Sequence, residues 1–190
     1  MSIGLIVFLA ICAFVLLYGV MIYNGLVSLK HAVSKHLSNI DVLLKQRHEE
    51  LPKLVATCKQ YMQYEQDTLE KVIKARQQVA DAQASHDMRA LGAAETGLRA
   101  NLGSLFALAE NYPELKANDS FQQLQSRISQ LENAIADRRE VYNEAVNNNN
   151  VRIEQFPDVL VARWFNFKDF DLLEFSEEET RDVNIGSLFK

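Results

Sequence analysis

The residues that could do chemistry are few, and their spacing argues against each reaction in turn. His31, His36, His48 and His86 are the candidate ligands or bases. His31 and His36 are five apart, which does not place both rings on one helical face. His48-Glu49-Glu50 lacks the second histidine that a helical zinc-protease motif needs. Two cysteines, Cys12 and Cys58, are too few and too differently placed for a disulfide framework, which fits a reducing compartment without demanding one. No glycine-rich loop precedes a basic residue at phosphate-binding spacing, and no serine sits in a nucleophile elbow. Glu49-Glu50 and Glu177-Glu178-Glu179 read as solvated charge runs. The expectation is therefore no catalytic, cofactor-binding or metal-ligating residue, and a protein that is not an enzyme. A net charge of −5 makes nucleic acid an unsuitable partner.

The elements themselves say more. The first charged side chain is Lys30, and Ile3 to Tyr23 is almost wholly apolar. These residues, at about 1.5 Å rise each, span roughly 31 Å, the thickness of a bilayer's hydrocarbon core. A cleaved secretory signal needs a basic start and a small-residue cleavage site, and Met1 to Gly4 carry only the α-amino charge. A lipoprotein signal needs a small residue before its cysteine, where Ile11 stands before Cys12. A retained transmembrane helix over residues 1–24, touching lipid through residues 3–23, is the expectation. Tyr18 and Tyr23 are candidate interface anchors. Lys30, Lys35, Lys45 and Arg47 follow the span and none precedes it, which predicts a single-pass protein of the cell (inner/cytoplasmic) membrane, N-terminus out and bundle in the cytoplasm.

Beyond the span, apolar residues recur at alternating steps of three and four. Leu26, Leu29, Val33, Leu37, Ile40 and Leu44 form a first stripe with no Pro break from the span, so the membrane helix is expected to run directly into the soluble part. Pro52 cannot donate to the carbonyl of His48. The stripe nonetheless resumes nearly in phase at Leu51, Leu54 or Val55, Cys58, and Tyr61 or Met62, then Leu69, Val72 and Val79, which predicts one kinked, continuous helix. Asp81 to Asp87 is expected to be a turn. A second stripe runs Met88, Leu91, Leu98, Leu102, Leu105, Ala109 and Tyr112. Gly92, Gly97 and Gly103 within it are expected to admit a neighbouring helix. Asp119 with Gln122 resembles a capping box. The third stripe is Phe121, Leu124, Ile128, Leu131, Ile135, Arg138, Tyr142, Ala145, Asn149 and Ile153. Its repeat is close to 3.5, which predicts coiled-coil-like packing. A short amphipathic helix is predicted from Asp158 to Trp164. The fold class that results is all-α: an N-terminal transmembrane helix continuing into a long antiparallel three- or four-helix bundle over 25–163. An aromatic, then acidic tail covers 164–190.

Two clusters remain. Asn147 to Asn150 are unusual inside a helix, because Asn favours caps and turns. They read as a frayed or bent helix end or, less well, as an exposed amide cluster for a partner. Trp164, Phe165, Phe167, Phe170, Leu172, Leu173 and Phe175 are the densest aromatic and aliphatic group outside the span. They either dock back on the bundle or form an exposed patch for a neighbouring subunit or the lipid interface, with Trp164, Phe165, Phe167, Phe170 and Phe175 as the candidate partner or oligomer contacts. The interleaved Asp169, Asp171 and Glu174 disfavour anionic lipid. Val183, Ile185, Leu188 and Phe189 offer a short docking motif in the tail.

In order, the residues resemble the LemA family of bacterial membrane proteins. The signature positions are Tyr23, Asn24, Leu26, Val27 and Leu29, then Asn39, Ile40, Asp41, Val42, Leu44, Lys45 and Arg47. Pro52, Leu54, Val55, Tyr61, Glu65, Ala75 and Arg76 continue it. Tyr112, Pro113, Leu115, Lys116, Ala117, Phe121, Leu124, Glu132, Arg138, Tyr142, Asn143, Phe156 and Pro157 complete it. The likeness covers Tyr23 to about Phe167 and leaves the acidic tail outside. Leu37 stands where the family often has Trp, and Asn149-Asn150 replace a Tyr-Asn-like pair. The resemblance implies one transmembrane helix, a helical bundle and no known catalysis. A member in magnetosome membranes implies a membrane-organising role. The function expected is a non-enzymatic, self-associating scaffold, a homo-oligomer. The alternative is an adaptor for a membrane protease or signalling protein.

Overall fold

The computed structural model describes residues 2–174. Phe175, the acidic run and the Val183–Phe189 motif lie outside them. The described chain is helical, in the order α1 (Ile3–Lys59), α2 (Gln66–Ser85), α3 (Met88–Ala109), α4 (Pro113–Lys116), α5 (Asp119–Glu154) and α6 (Asp158–Trp164). No strand occurs among the described residues. The all-α bundle with a long apolar N-terminal helix is as the periodicity predicts, and α6 has the predicted bounds. The chain divides into two compact units. Among the described residues, one comprises 2–39 with 138–172, the other 40–137 with 173–174.

The continuation of the apolar span into the first amphipathic stripe holds, since α1 is a single helix with Pro52 inside it. The carbonyl that Pro52 leaves without its helical donor is that of His48. Arg76 on α2 fills the gap, its Nε donating to the His48 oxygen at 3.0 Å. A buried carbonyl without a partner costs about 1–3 kcal/mol, so a helix can tolerate the proline where a neighbour supplies the donor.

Continuity does not extend to Val79. α1 ends at Lys59, and Gln60 to Glu65 turn the chain into α2. Met62 and Leu69, both buried, are seven residues apart, so a turn between two helices that face one core preserves the heptad phase of an unbroken one. Tertiary bonds hold the turn: Asn118 Nδ2 donates to the Tyr61 hydroxyl, and the Tyr112 hydroxyl donates to Glu65, both at 3.2 Å.

The turn expected over Asp81 to Asp87 is shorter. Ala82 is buried and helical to the end of α2. His86 ends the helix in the left-handed conformation, φ 56°, and Asp87 caps α3 by accepting from the amides of Arg89 (3.0 Å) and Ala90 (2.9 Å). This two-residue connection makes α2 and α3 antiparallel neighbours. The cap of α5 lies one residue before the expected one: Asn118 Oδ1 accepts from Phe121 N at 3.0 Å, the geometry of an N-cap three residues ahead. Gln122 bonds the Lys116 carbonyl instead of closing a capping box.

The core of the second unit is the predicted stripes: Ile40, Leu44, Leu51, Leu54 and Cys58 from α1, Val72 from α2, Leu91, Leu98 and Leu105 from α3, Ile128 and Ile135 from α5. Each fully buried aliphatic side chain contributes about 1.5–3 kcal/mol. One stripe position shifts: Arg139 is buried and Arg138 is exposed, because four-residue steps from Ile135 to Arg139 track the 3.6-residue period more closely there. The three α3 glycines also divide. A Cβ on Gly92 would sit 2.5 Å from the Glu174 carbonyl oxygen, while nothing lies within 4 Å of one on Gly97 or Gly103. Only Gly92 serves a close approach, and it admits the extended C-terminal segment, not a helix.

Candidate functional sites in the two units

In the first unit, α1 presents an apolar surface all round. From Ile3 to Met21 every Leu, Ile, Val, Phe, Tyr and Met side chain is at least 45% exposed. This is the one helix among the described residues long and apolar enough to cross a membrane. Burial begins abruptly at Ile22. Ile22 and Leu26 pack with Ala162 of α6, flanked by Ile153, Val161 and Phe167. The Tyr23 ring meets Phe165 at a centroid distance of 4.7 Å and Phe167 at 5.8 Å, within the range of favourable aromatic pairs. Asp158 is buried at the start of α6 and paired with Arg152, so its charge does not face an apolar surface alone.

After α6 the chain reverses at Asn166, φ 56°, a left-handed position Asn tolerates, and Phe167 N donates to the Ala162 carbonyl at 2.9 Å. The segment that follows is held by α5. Asn149 Nδ2 donates to the Lys168 carbonyl at 3.3 Å. Asn150 makes two bonds to Phe170, donating to its carbonyl (2.9 Å) and accepting from its amide (3.0 Å). The Tyr142 hydroxyl donates to the Asp171 carbonyl at 2.9 Å. Burial and then the Asp171 charge push that phenol up to about 12. The asparagine run is thus neither a frayed end nor a free amide cluster. α5 continues to Glu154, Asn147 and Asn148 are exposed, and the next two amides clamp a strand-like backbone.

The aromatic candidates separate accordingly. Trp164 is 84% exposed and Phe165 half-exposed. Phe167 and Phe170 are half-buried. Of the signature positions in this unit, Tyr23, Asn24, Asn39 and Phe156 are exposed, Tyr142 is buried, and Asn143 and Pro157 are half-buried.

The second unit holds a buried charge cluster. Arg47 of α1 is 1% exposed and donates through its two terminal nitrogens to Glu95 of α3 and Glu132 of α5. Arg99 Nε donates to the other Glu132 oxygen at 3.1 Å. Two cations and two carboxylates cancel, and three helices are joined. Burial opposes the charge on Arg47, but Glu95 and Glu132 outweigh it and hold the guanidinium above its ordinary value. Arg47 and Glu132 are signature positions; Glu95 is not one of them. Its signal is its place, four after Leu91 and three before Leu98, on the apolar stripe of α3.

Asp41 accepts from Gln83 at 2.8 Å. Lys45 and Pro52 are exposed, and Pro113 starts α4. Burial and then Glu65 raise the Tyr112 phenol; burial and then Arg76 lower His48. Cys58 is buried and its thiol is pushed up to about 11, the opposite of an activated nucleophile. Among the described residues, no three His, Cys, Asp or Glu side chains group as a metal site.

The sequence profile of the LemA family matches residues 36–186, most of the chain. The chain belongs to the LemA family. The match leaves the Tyr23–Leu29 signature outside its bounds and, against expectation, takes in most of the acidic tail. This LemA chain is also similar to magnetosome proteins MamQ 2 and MamQ 1 of Paramagnetospirillum magneticum (strain AMB-1), each 32% identical over 97 residues. Magnetosome protein MamQ of Magnetospirillum gryphiswaldense (strain MSR-1) is 30% identical over the same length. These matches cover 51% of this LemA chain and only 35% of each relative.

Proposed function

We propose that this LemA-family protein is a non-enzymatic, membrane-anchored helical bundle that self-associates as a scaffold in the membrane. The observation that carries the reading is the exposed apolar surface of α1 from Ile3 to Met21, larger than a soluble monomer leaves in water. Leu, Ile, Phe and Val at the centre of a span each favour insertion by about 0.3–0.6 kcal/mol. The match to proteins named for magnetosomes supports a membrane-organising role.

Orientation now rests on Lys30 and Lys35, which are exposed. Lys45 and Arg47 follow them further along α1, more than about twenty residues past the span and outside the flank that sets orientation. The bundle is then cytoplasmic.

Alkaline-carbonate extraction of cell membranes tests the anchor: the chain stays in the pellet, and intact mass shows Ile3 to Tyr23 retained. Release into the supernatant, or a mature chain without that segment, refutes it. In-cell crosslinking followed by sizing in detergent tests the scaffold. Multiples of this chain alone are expected, and monomer at every concentration refutes self-association.

A further inference from the structure

The first unit leaves a second apolar surface that packing of the bundle does not use. Phe156 stands in the turn that enters α6, and Leu160 and Trp164, four residues apart, share one face of the helix. The three are 81%, 60% and 84% exposed. The opposite face of α6, through Ala162, is seated on Ile22 and Leu26. Those two residues mark where α1 stops being exposed apolar surface: Met21 is the last of the bare run, and Asn24 and then Lys30 follow. α6 is therefore held beside the end of the span. Its bare face lies near the level at which the exposed apolar run of α1 ends.

We infer that α6 is an interfacial anchor: Phe156, Leu160 and Trp164 insert into the headgroup–acyl boundary of the bilayer that α1 spans. Three features select lipid as the occupant. The surface adjoins the membrane-spanning surface at its polar end. Its residues are Trp, Phe and Leu, the types that occupy the interfacial belt. The charges around it suit that depth, because Asp158 is buried with Arg152, while Arg163 on α6 is exposed towards solvent. The acids Asp169 and Asp171 belong to the clamped segment beyond the Asn166 reversal. α5 binds that segment through the Lys168, Phe170 and Asp171 backbone, not through a carboxylate. The device fixes the depth of the span, since α1 cannot slide along its axis without pulling Trp164 out of the interface.

The inference rests on the span reading, and one experiment separates the two. Trp164 is the only tryptophan in the chain, so its fluorescence reports this site without a label. The full-length protein is reconstituted into phosphatidylcholine vesicles and floated on a density gradient. Floated protein is then examined with lipids brominated at different acyl depths and with aqueous iodide. The expected result is blue-shifted emission, strongest quenching by bromines nearest the headgroup, and little iodide quenching. The double variant Phe156→Asn with Leu160→Asn still floats but shows red-shifted emission open to iodide. Protein that floats with Trp164 emission of an aqueous indole overturns the inference while leaving the span intact. Trp164 shielded from both quenchers, with shielding that weakens as protein is diluted in lipid, assigns the face to a second copy and also overturns it. Protein that does not float overturns both readings.

Discussion

The two units each hold one principal polar cluster, and the two clusters are built differently. In the second, charged side chains meet charged side chains: Arg47 lies between Glu95 and Glu132, with Arg99 completing the balance. Every partner is a specific residue, so the cluster selects which helices meet and in what register. In the first, beside the Arg152–Asp158 pair, neutral amides and a phenol meet backbone: Asn149, Asn150 and Tyr142 bind the Lys168, Phe170 and Asp171 peptide groups. Such a clamp places demands on α5 and few on the segment it holds, because every residue but proline offers the same N–H and C=O. The contrast also explains the cost of error. A buried ion missing its partner keeps a charge in low dielectric, whereas a missing amide leaves peptide groups that water can reach.

The comparison breaks first at Arg47. Arg47→Met strands Glu95 in the core, leaves Glu132 with Arg99 alone, and should destabilise the second unit by about 3–5 kcal/mol, read as a drop in denaturation midpoint of the detergent-solubilised chain. Arg47→Lys should recover only part, since an ammonium does not span both acids as a fork. A loss under 1 kcal/mol for Arg47→Met would mean the cluster is no more than a surface pair.

Asn150→Ala is next. Two hydrogen bonds to Phe170 go, worth about 1–3 kcal/mol together, and trypsin should cut after Lys168 sooner. Asn148→Ala, on the exposed side, should stay within about 0.5 kcal/mol. Equal effects of the two would erase the distinction between clamp and bystander.

Alkaline titration separates the units by pH. The Cys58 thiol ionises near 9.0 when free and at about 11 here. Tyr142 moves from 10.0 to about 12. The unfolded chain loses each proton first, so both groups lower stability as pH rises. The thiol acts between 9 and 11, the phenol between 10 and 12. Relative to the wild type, Cys58→Ala should gain stability from pH 9 to 11, and Tyr142→Phe should do so only above 10. Parallel curves for wild type and Cys58→Ala would place that thiol in water.

The smallest effects sharpen the account of the glycines. Gly97→Ala and Gly103→Ala should each stabilise α3 by up to about 1 kcal/mol. Gly92→Ala should not, because its Cβ meets the Glu174 carbonyl. Matching gains at all three positions would mean that Glu174 moves aside freely.

Much of the fold was legible in the residues. Steps of three and four placed the stripes of α1, α3 and α5, and Asp158 to Trp164 emerged with its bounds, since periodicity reports which face a helix buries. The break after Lys59 was not legible, because a turn between Met62 and Leu69 preserves the phase. Asn118, not Asp119, caps α5, because both residue types suit that position and only a bonded amide distinguishes them. Of the polar groups, Arg47 and Glu132 stood out by resemblance, but Glu95 did not. The asparagines were noticed, yet their partners lie about twenty residues on, beyond any local pattern.

Sequence alone determined what α1 must be at each end: uncharged apolar residues to Tyr23, then one buried stripe. Hydrophobicity and helical period act along the chain, and no neighbour is needed to state them. Tertiary structure decided which polar atoms found partners. It set Arg76 on the carbonyl freed by Pro52, Arg47 between two acids, and Asn150 on the Phe170 backbone. Those choices join residues far apart in the chain, and a hydrogen bond depends on distance and direction in space.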